Sequence, residues 1–375
     1  MTLGLDGPRI PVAPPACRWD GGAVRTRTEE LLAGLDAHLR TWVDERDLAG
    51  TILVTRGGRT LLEGCYGPAD RACGAPVTPR TRFGTASVTK MFTAVAVVDL
   101  VRRGLLGHVD RPVVDLLPPH RRPSTLRGDV TVHHLLCHTS GIADYCEEDE
   151  ATPGWCADYG ALWDDRPTSR MQRPADFLPM FGDLPPYRAP GLRYQYSNAG
   201  FVVLAQVVEE VTGQPFVDVV RERVMAPAGM TASGFLRTDG AEADVAVGCL
   251  PRASREAPWR TNVLRVPVVG GGDGGAHVTA RDADRFLTAY DDGSLLGPFR
   301  DVVLAPHAQV DGPGMAYGYG VYVSPAGWFG HDGGDPGVDV QLRRWPADQV
   351  NLVVMCSMEG LTEEMVALAR TALDR

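Results

Sequence analysis

Ser87-Val88-Thr89-Lys90-Met91-Phe92-Thr93-Ala94-Val95-Ala96-Val97-Val98-Asp99-Leu100-Val101 is the stretch that decides how this 375-residue chain is read. From Val88 onward only Thr89, Lys90, Thr93 and Asp99 are polar. A helix that is apolar on every side is normally buried, so the pattern predicts a core helix with a lysine inside it. Residues three apart share a helix face, which sets the Lys90 amine beside the Ser87 hydroxyl at the positive end of the helix dipole. Desolvation lowers a lysine pKa, and a neutral amine can take the proton of an adjacent hydroxyl. A plainer reading fits the same residues: Ser87 as an N-cap and Lys90 snorkelling to solvent.

Outward from this helix, Thr28 is expected to cap a helix whose apolar stripe is Leu31, Leu35, Leu39 and Trp42, widened by Leu32 and Val43. Gly57-Gly58 then joins two β-rich runs, residues 51–56 and Arg59–Tyr66, as a two-residue hairpin turn. Near the other end, residues 316–323, 338–344 and Val350–Cys356 read as strands, and Thr362 is expected to cap a last helix over 363–373. The middle is helical in pattern at 87–103, 131–137, 198–211 and 216–224, with loops rich in Pro, Gly and Asp between. The predicted fold is α+β. A proline-rich extension (1–20) precedes a discontinuous α/β domain (21–85 and 265–375) with an antiparallel sheet flanked by helices, and an all-helical domain (86–264) is inserted into it.

The bulk chemistry narrows the partners. Lys plus Arg number 37 against 47 Asp plus Glu, a net charge of −10, which makes nucleic acid and anionic membranes poor partners. No stretch is long and apolar enough to span a bilayer. Residues 1–20 carry Asp6, Arg9 and four prolines but no apolar core, so they do not read as a secretory signal. The eight cysteines are accordingly expected as thiols in the cytoplasm, with Cys146 and Cys156 the pair to watch otherwise.

Further segments bear on Ser87. Tyr196-Ser197-Asn198 directly precedes a strong helix, which would hold the tyrosine at a rigid junction. A phenol near a lysine can lose its proton below its usual pKa and act as a base; the alternative is a core-edge aromatic. Gly330-His331-Asp332-Gly333-Gly334 falls where a sheet strand should run, and glycines inside a strand signal close approach of another backbone or a ligand. His138-Thr139-Ser140-Gly141 ends a helix and turns on its glycine. Residues 144–173 hold Glu147-Glu148-Asp149-Glu150 and several aromatics, and read either as a solvated loop or as a lid shaping access.

Two patterns carry less. His133, His134, Cys137 and His138 have metal-ligand spacing, but no second cluster completes a site, so no metal is expected. The glycine run 270–275 lacks the G-K-[ST] ending of a phosphate loop; Gly274 and Gly275 are expected to line a gorge before a helix capped by Thr279. An α/β-hydrolase elbow, with glycine two places either side of a serine, is absent.

Together these elements resemble the serine β-lactamase and penicillin-binding-protein superfamily, in the branch of class C β-lactamases, DD-peptidases, D-aminopeptidases and family VIII esterases. Ser87-Val88-Thr89-Lys90 fits its S-x-x-K element, Tyr196-Ser197-Asn198 its Y-x-N element and His138-Thr139-Ser140-Gly141 its H-T-S-G turn. His331-Asp332-Gly333 stands in the place of K-T-G. The resemblance implies a β-lactamase/transpeptidase-like fold with the active site at the interface of the two domains. It implies that Ser87 is the nucleophile, that Lys90 and Tyr196 share acid and base work, and that Asn198 positions Lys90 and the substrate. The N–H groups of Ser87 and Gly334 would form the oxyanion hole, and a covalent route needs no cofactor.

His331-Asp332 departs from the family pattern, whose lysine and threonine favour a substrate carboxylate. A largely neutral histidine beside an aspartate supplies less positive potential. The expected activity is therefore a serine hydrolase or acyltransferase acting on a small ester or amide, an esterase, amidase or transacylase, with an amine or alcohol as acceptor in the last case. The alternatives are a DD-carboxypeptidase or β-lactamase, and a non-catalytic binding protein on the same scaffold.

Overall fold

A computed structural model describes residues 26–310 and 314–374; the expected extension 1–20 lies outside them. In chain order, α1 (Arg27–Glu45) leads to β1 (Gly50–Arg56), β2 (Arg59–Tyr66), the small ladder β3 (Pro68–Asp70) and β4 (Ala75–Pro76), and β5 (Phe83–Gly84). The helices α2 (Thr89–Arg102), α3 (Val132–Leu136), α4 (Leu178–Phe181), α5 (Asn198–Thr212) and α6 (Phe216–Val220) follow. The chain returns through β6 (His277–Val278), α7 (Ala280–Asp291) and α8 (Arg300–Val303) to β7 (Ala308–Gln309), β8 (Ala316–Tyr317), β9 (Tyr322–Val323), β10 (Phe329–Asp335), β11 (Val338–Trp345), β12 (Val350–Cys356) and α9 (Thr362–Ala372).

The main sheet is antiparallel in the order β2-β1-β12-β11-β10-β9-β8-β7, so both chain ends build it. Strand side chains alternate between faces. Ile52, Val54, Leu352 and Val354 face α1 and α9, while Leu53, Val353 and Met355 face the core shared with α2, α5 and α7. Gly57 and Gly58 have φ of 56° and 76°, the positive values that the β1–β2 turn needs. Helix α2 is buried from Thr89 through Leu100, as its apolar circumference requires.

Three local expectations are corrected. Thr26, not Thr28, caps α1, because Glu29 returns a bond to the Thr26 N–H (2.8 Å) and completes a capping box. Thr362 is the first residue of α9 rather than its cap. The N–H groups of Gly360, Leu361 and Thr362 instead donate to the Asp339 carboxylate on β11, at 3.0, 3.2 and 3.2 Å. Residues 316–323 are a tight hairpin and not one strand: Gly318 N–H donates to Val321 O at 2.8 Å, and Gly320 takes φ 67°. A Cβ on Gly320 would sit 2.6 Å from the Lys90 carbonyl, so the turn presses against the start of α2.

Candidate active site

Ser87 lies in the 3₁₀ turn Ala86–Val88 that runs into α2. Ala86 before it has φ 42°, a left-handed conformation that costs a non-glycine residue energy and is retained where surrounding structure enforces it. Thr85 holds the turn, its hydroxyl meeting Thr89 Oγ1 and the Ala276 carbonyl, both at 2.9 Å. One turn on, Lys90 is 0% exposed. Its Nζ donates to Ser87 Oγ at 2.9 Å, to Asn198 Oδ1 at 2.7 Å and to the Asp273 backbone carbonyl at 2.7 Å. Burial lowers the lysine pKa, although Asp273, Glu148, Asp144 and Asp335 pull the other way. The snorkelling alternative is therefore excluded by geometry.

Tyr196 and Asn198 enter from the start of α5, which Ser197 caps by accepting the Gly200 N–H at 3.0 Å. Lys90 Nζ sits 4.7 Å from the centre of the Tyr196 ring, and the phenol is near enough to Ser87 to interact with its hydroxyl. His138, from the turn after α3, packs its ring against that of Tyr196 with centroids 4.4 Å apart and a 35° tilt, and accepts the Ser197 N–H at 3.0 Å, which fixes the tyrosine from behind. The sequence suggested a phenol that ionises easily. Burial, reinforced by Glu148, instead raises the Tyr196 pKa well above the usual value, so the ring is a neutral proton donor at rest.

Strand β10 closes the site from the sheet side. A Cβ on Gly333 would lie 2.2 Å from Thr85 O and 3.1 Å from Ser87 N, so the glycine lets the strand pass against the turn that carries Ser87. Gly334, next along, borders the cleft with open space where its Cβ would be. His331 is buried, and burial pushes its pKa down to about 3. Its Nε2 meets Tyr317 OH at 2.8 Å and its Nδ1 the Asp332 carbonyl at 2.5 Å. A carbonyl only accepts, so Nδ1 carries the proton and Tyr317 donates to Nε2. Asp332 points outward and is paired with Arg343.

Ser87, Tyr196, Asn198, His331 and Gly334 border one cleft of about 850 Å³. Its remaining walls include Tyr145, Glu148, Tyr159, Gly274 and Gly275. Within the stretch 144–173, Asp144 and Glu147 are built into the fold and Glu148 opens onto the cleft, while Glu150 and much of 151–173 are exposed to solvent. Tyr145 hydrogen-bonds the Asp273 carboxyl and so braces the carbonyl that holds Lys90. The four residues with metal-ligand spacing are divided among other tasks. His133 meets Tyr319 OH at 2.8 Å, His134 takes part in the cap at Thr131, Cys137 Sγ donates to the His133 carbonyl at 3.1 Å, and His138 supports Tyr196. The seven described cysteines are free thiols.

Sequence reasoning missed Asp273, Tyr317 and Asp335. Asp335 carried a signal, because in a strand it shares a face with His331 and Gly333. Asp273 and Tyr317 act through a backbone carbonyl and through a cross-strand contact, which no local pattern announces.

Residues 35–375 match the family model described as Beta-lactamase. The chain is 33% identical over 339 residues to esterase EstB of Burkholderia gladioli, covering 81% of this chain and 83% of that protein. It is 27% identical over 328 residues to a D-aminopeptidase of Brucella canis, covering 83% of this chain and 56% of that protein. The crystal structure of a penicillin binding protein from Bacillus halodurans aligns with a TM-score of 0.81 at 36% identity, over 90% of this chain and 100% of that one. Among the described residues, no helix is long and apolar enough to cross a membrane.

Proposed function

Because this chain belongs to the beta-lactamase family, a family of serine acyl-enzymes, we propose that it cleaves or transfers the acyl group of a small ester or amide through Ser87. The supporting observation is the Lys90 amine, buried and 2.9 Å from Ser87 Oγ. Neutral Lys90 takes the hydroxyl proton as Oγ adds to the substrate carbonyl. The N–H groups of Ser87 and Gly334 receive the oxyanion; losing one such donor typically costs about a hundred-fold or more in rate. Tyr196, a neutral phenol, donates its proton to the leaving group and recovers one from Lys90. Asn198 holds Lys90 in place. Water, an alcohol or an amine then takes the acyl group from Ser87, in the reverse sequence of proton transfers.

A substrate carboxylate finds no cation where the family's lysine would stand, since both ring nitrogens of His331 are engaged and the imidazole is neutral. This favours a neutral or amine-bearing substrate over a penicillin or a D-Ala-D-Ala terminus. The test is a fluorophosphonate or reporter ester followed by intact mass. One adduct is expected on the wild type and none on Ser87→Ala; equal labelling of both would remove Ser87 from the mechanism, and no labelling of either would favour a binding protein.

A further inference from the structure

The cleft beside Ser87 holds carboxyl groups that acylation does not use. Two of the acids in the 144–150 stretch are occupied by the fold. Asp144 accepts the N–H groups of Asn198 and Ala199 at 2.5 and 3.3 Å, and Glu147 accepts from Gln195 Nε2 at 2.8 Å and Asp149 N at 2.9 Å. With Glu147 drawn inward, Glu148 turns into the cleft, where it is exposed. Among the described residues, its carboxyl has one hydrogen bond, a long contact of 3.5 Å from Asn198 Nδ2.

Asp335 comes from the sheet side, at the end of β10 on the face of Gly333. Its carboxyl is sunk in the cleft wall and has no hydrogen-bond partner among the described residues. Both side chains lie close enough to Lys90 to act on its charge. The cations of the cleft do not answer them. Arg237 is held by both oxygens of Asp239, at 2.9 and 2.9 Å, and Lys90 has to be neutral to work as a base.

We propose that Glu148 and Asp335 form an ammonium subsite beside Ser87, which selects a substrate presenting a cationic amine next to the reacting carbon. The inference rests on the Ser87 acylation reading. An ammonium placed there makes charge-assisted hydrogen bonds to two carboxyl groups whose like charges otherwise disfavour each other. It also acts on Lys90 in the useful direction, because a neighbouring cation disfavours the protonated lysine. The amine belongs either to the acyl donor or to the acceptor, and the two sources are separable by assay.

The experiment uses the full chain. In the donor arm, kcat/KM for an alanine p-nitrophenyl ester, in D and L forms, is divided by that for its N-acetyl analogue. In the acceptor arm, acyl transfer to ethanolamine is divided by transfer to ethylene glycol. The wild type is expected to favour the amine by about tenfold or more in one arm. That ratio should fall by about tenfold in Glu148→Gln and in Asp335→Asn, and invert in Glu148→Lys. A wild-type ratio at or below one in both arms overturns the subsite without reference to any variant. A ratio unmoved in all three variants, while fluorophosphonate still labels Ser87, overturns it and leaves the serine mechanism standing. Absence of labelling in the wild type overturns both.

Discussion

The Asp144 carboxyl accepts the Asn198 N–H at 2.5 Å, a second acceptor at the α5 start beside the Ser197 cap, so one side chain joins the cleft-shaping stretch to the helix that carries Asn198. Removing an N-cap acceptor typically costs about 0.5–2 kcal/mol. Asp144→Ala should lower stability in urea by about that amount and lower kcat as Asn198 loses its position. Asp144→Asn, which keeps an acceptor oxygen, should recover most of both. Equal stability of Asp144→Ala and wild type would show that this acceptor is not holding the helix.

Lys90 supplies a pH signature. An ordinary lysine releases its proton near 10.5, and burial brings Lys90 below that. On the proposal that the neutral amine is the working form, kcat/KM should rise with pH along a limb placed below 10.5. Lys90→Met should abolish that limb and lower kcat/KM by about 10²–10⁴-fold. Tyr196→Phe should lower the rate but leave the limb, because the phenol's pKa is raised away from this range. A limb at or above 10.5 contradicts the assignment of Lys90 as base.

Adjacent glycines on β10 should behave oppositely in stability. A Cβ at Gly333 meets Thr85 O at 2.2 Å, whereas one at Gly334 meets nothing within 4 Å. Gly333→Ala should cost about 1–3 kcal/mol by forcing the strand off the Ser87 turn. Gly334→Ala should melt close to wild type. Thermal unfolding of the pair checks this, and similar losses in both would mean that β10 does not press on Thr85.

Asp335 should make stability depend on pH. Burial raises its pKa from 3.8 to about 7, so in that interval folding takes up a proton. Its stabilising contribution is fully present below pH 3.8 and is lost as pH rises through about 7. Relative to Asp335→Asn, the wild type should therefore be most stable near pH 4 and least stable at pH 8. Melting curves of both proteins across that range provide the test, and a constant difference would refute the raised pKa.

Much of the site was legible because its elements are local. The apolar run after Ser87 announced a buried helix, and Gly57-Gly58 announced the hairpin that begins the sheet. Tyr196 to Asn198 could be placed because a capped helix starts there. What stayed hidden depends on contacts between distant segments. Asp339 caps α9 from another strand, so the local sequence pointed to Thr362 instead. The choice of Glu148 over Glu147 depends on Gln195 drawing Glu147 inward. The run 316–323 has strand composition, yet Gly320 must turn to clear the Lys90 carbonyl.

The three contacts of Lys90 Nζ have a consequence in the count of hydrogens. An ammonium has three, one for each of Ser87 Oγ, Asn198 Oδ1 and the Asp273 carbonyl. A neutral amine has two hydrogens and one lone pair. Asn198 Oδ1 and the Asp273 carbonyl can only accept, so both hydrogens are already assigned. The lone pair is left facing Ser87, whose hydroxyl is the one partner able to reverse its role and donate. Loss of a proton from Lys90 thus turns the amine into an acceptor aimed at Ser87, and only the Ser87 hydroxyl hydrogen has to swing round while the heavy atoms stay in place.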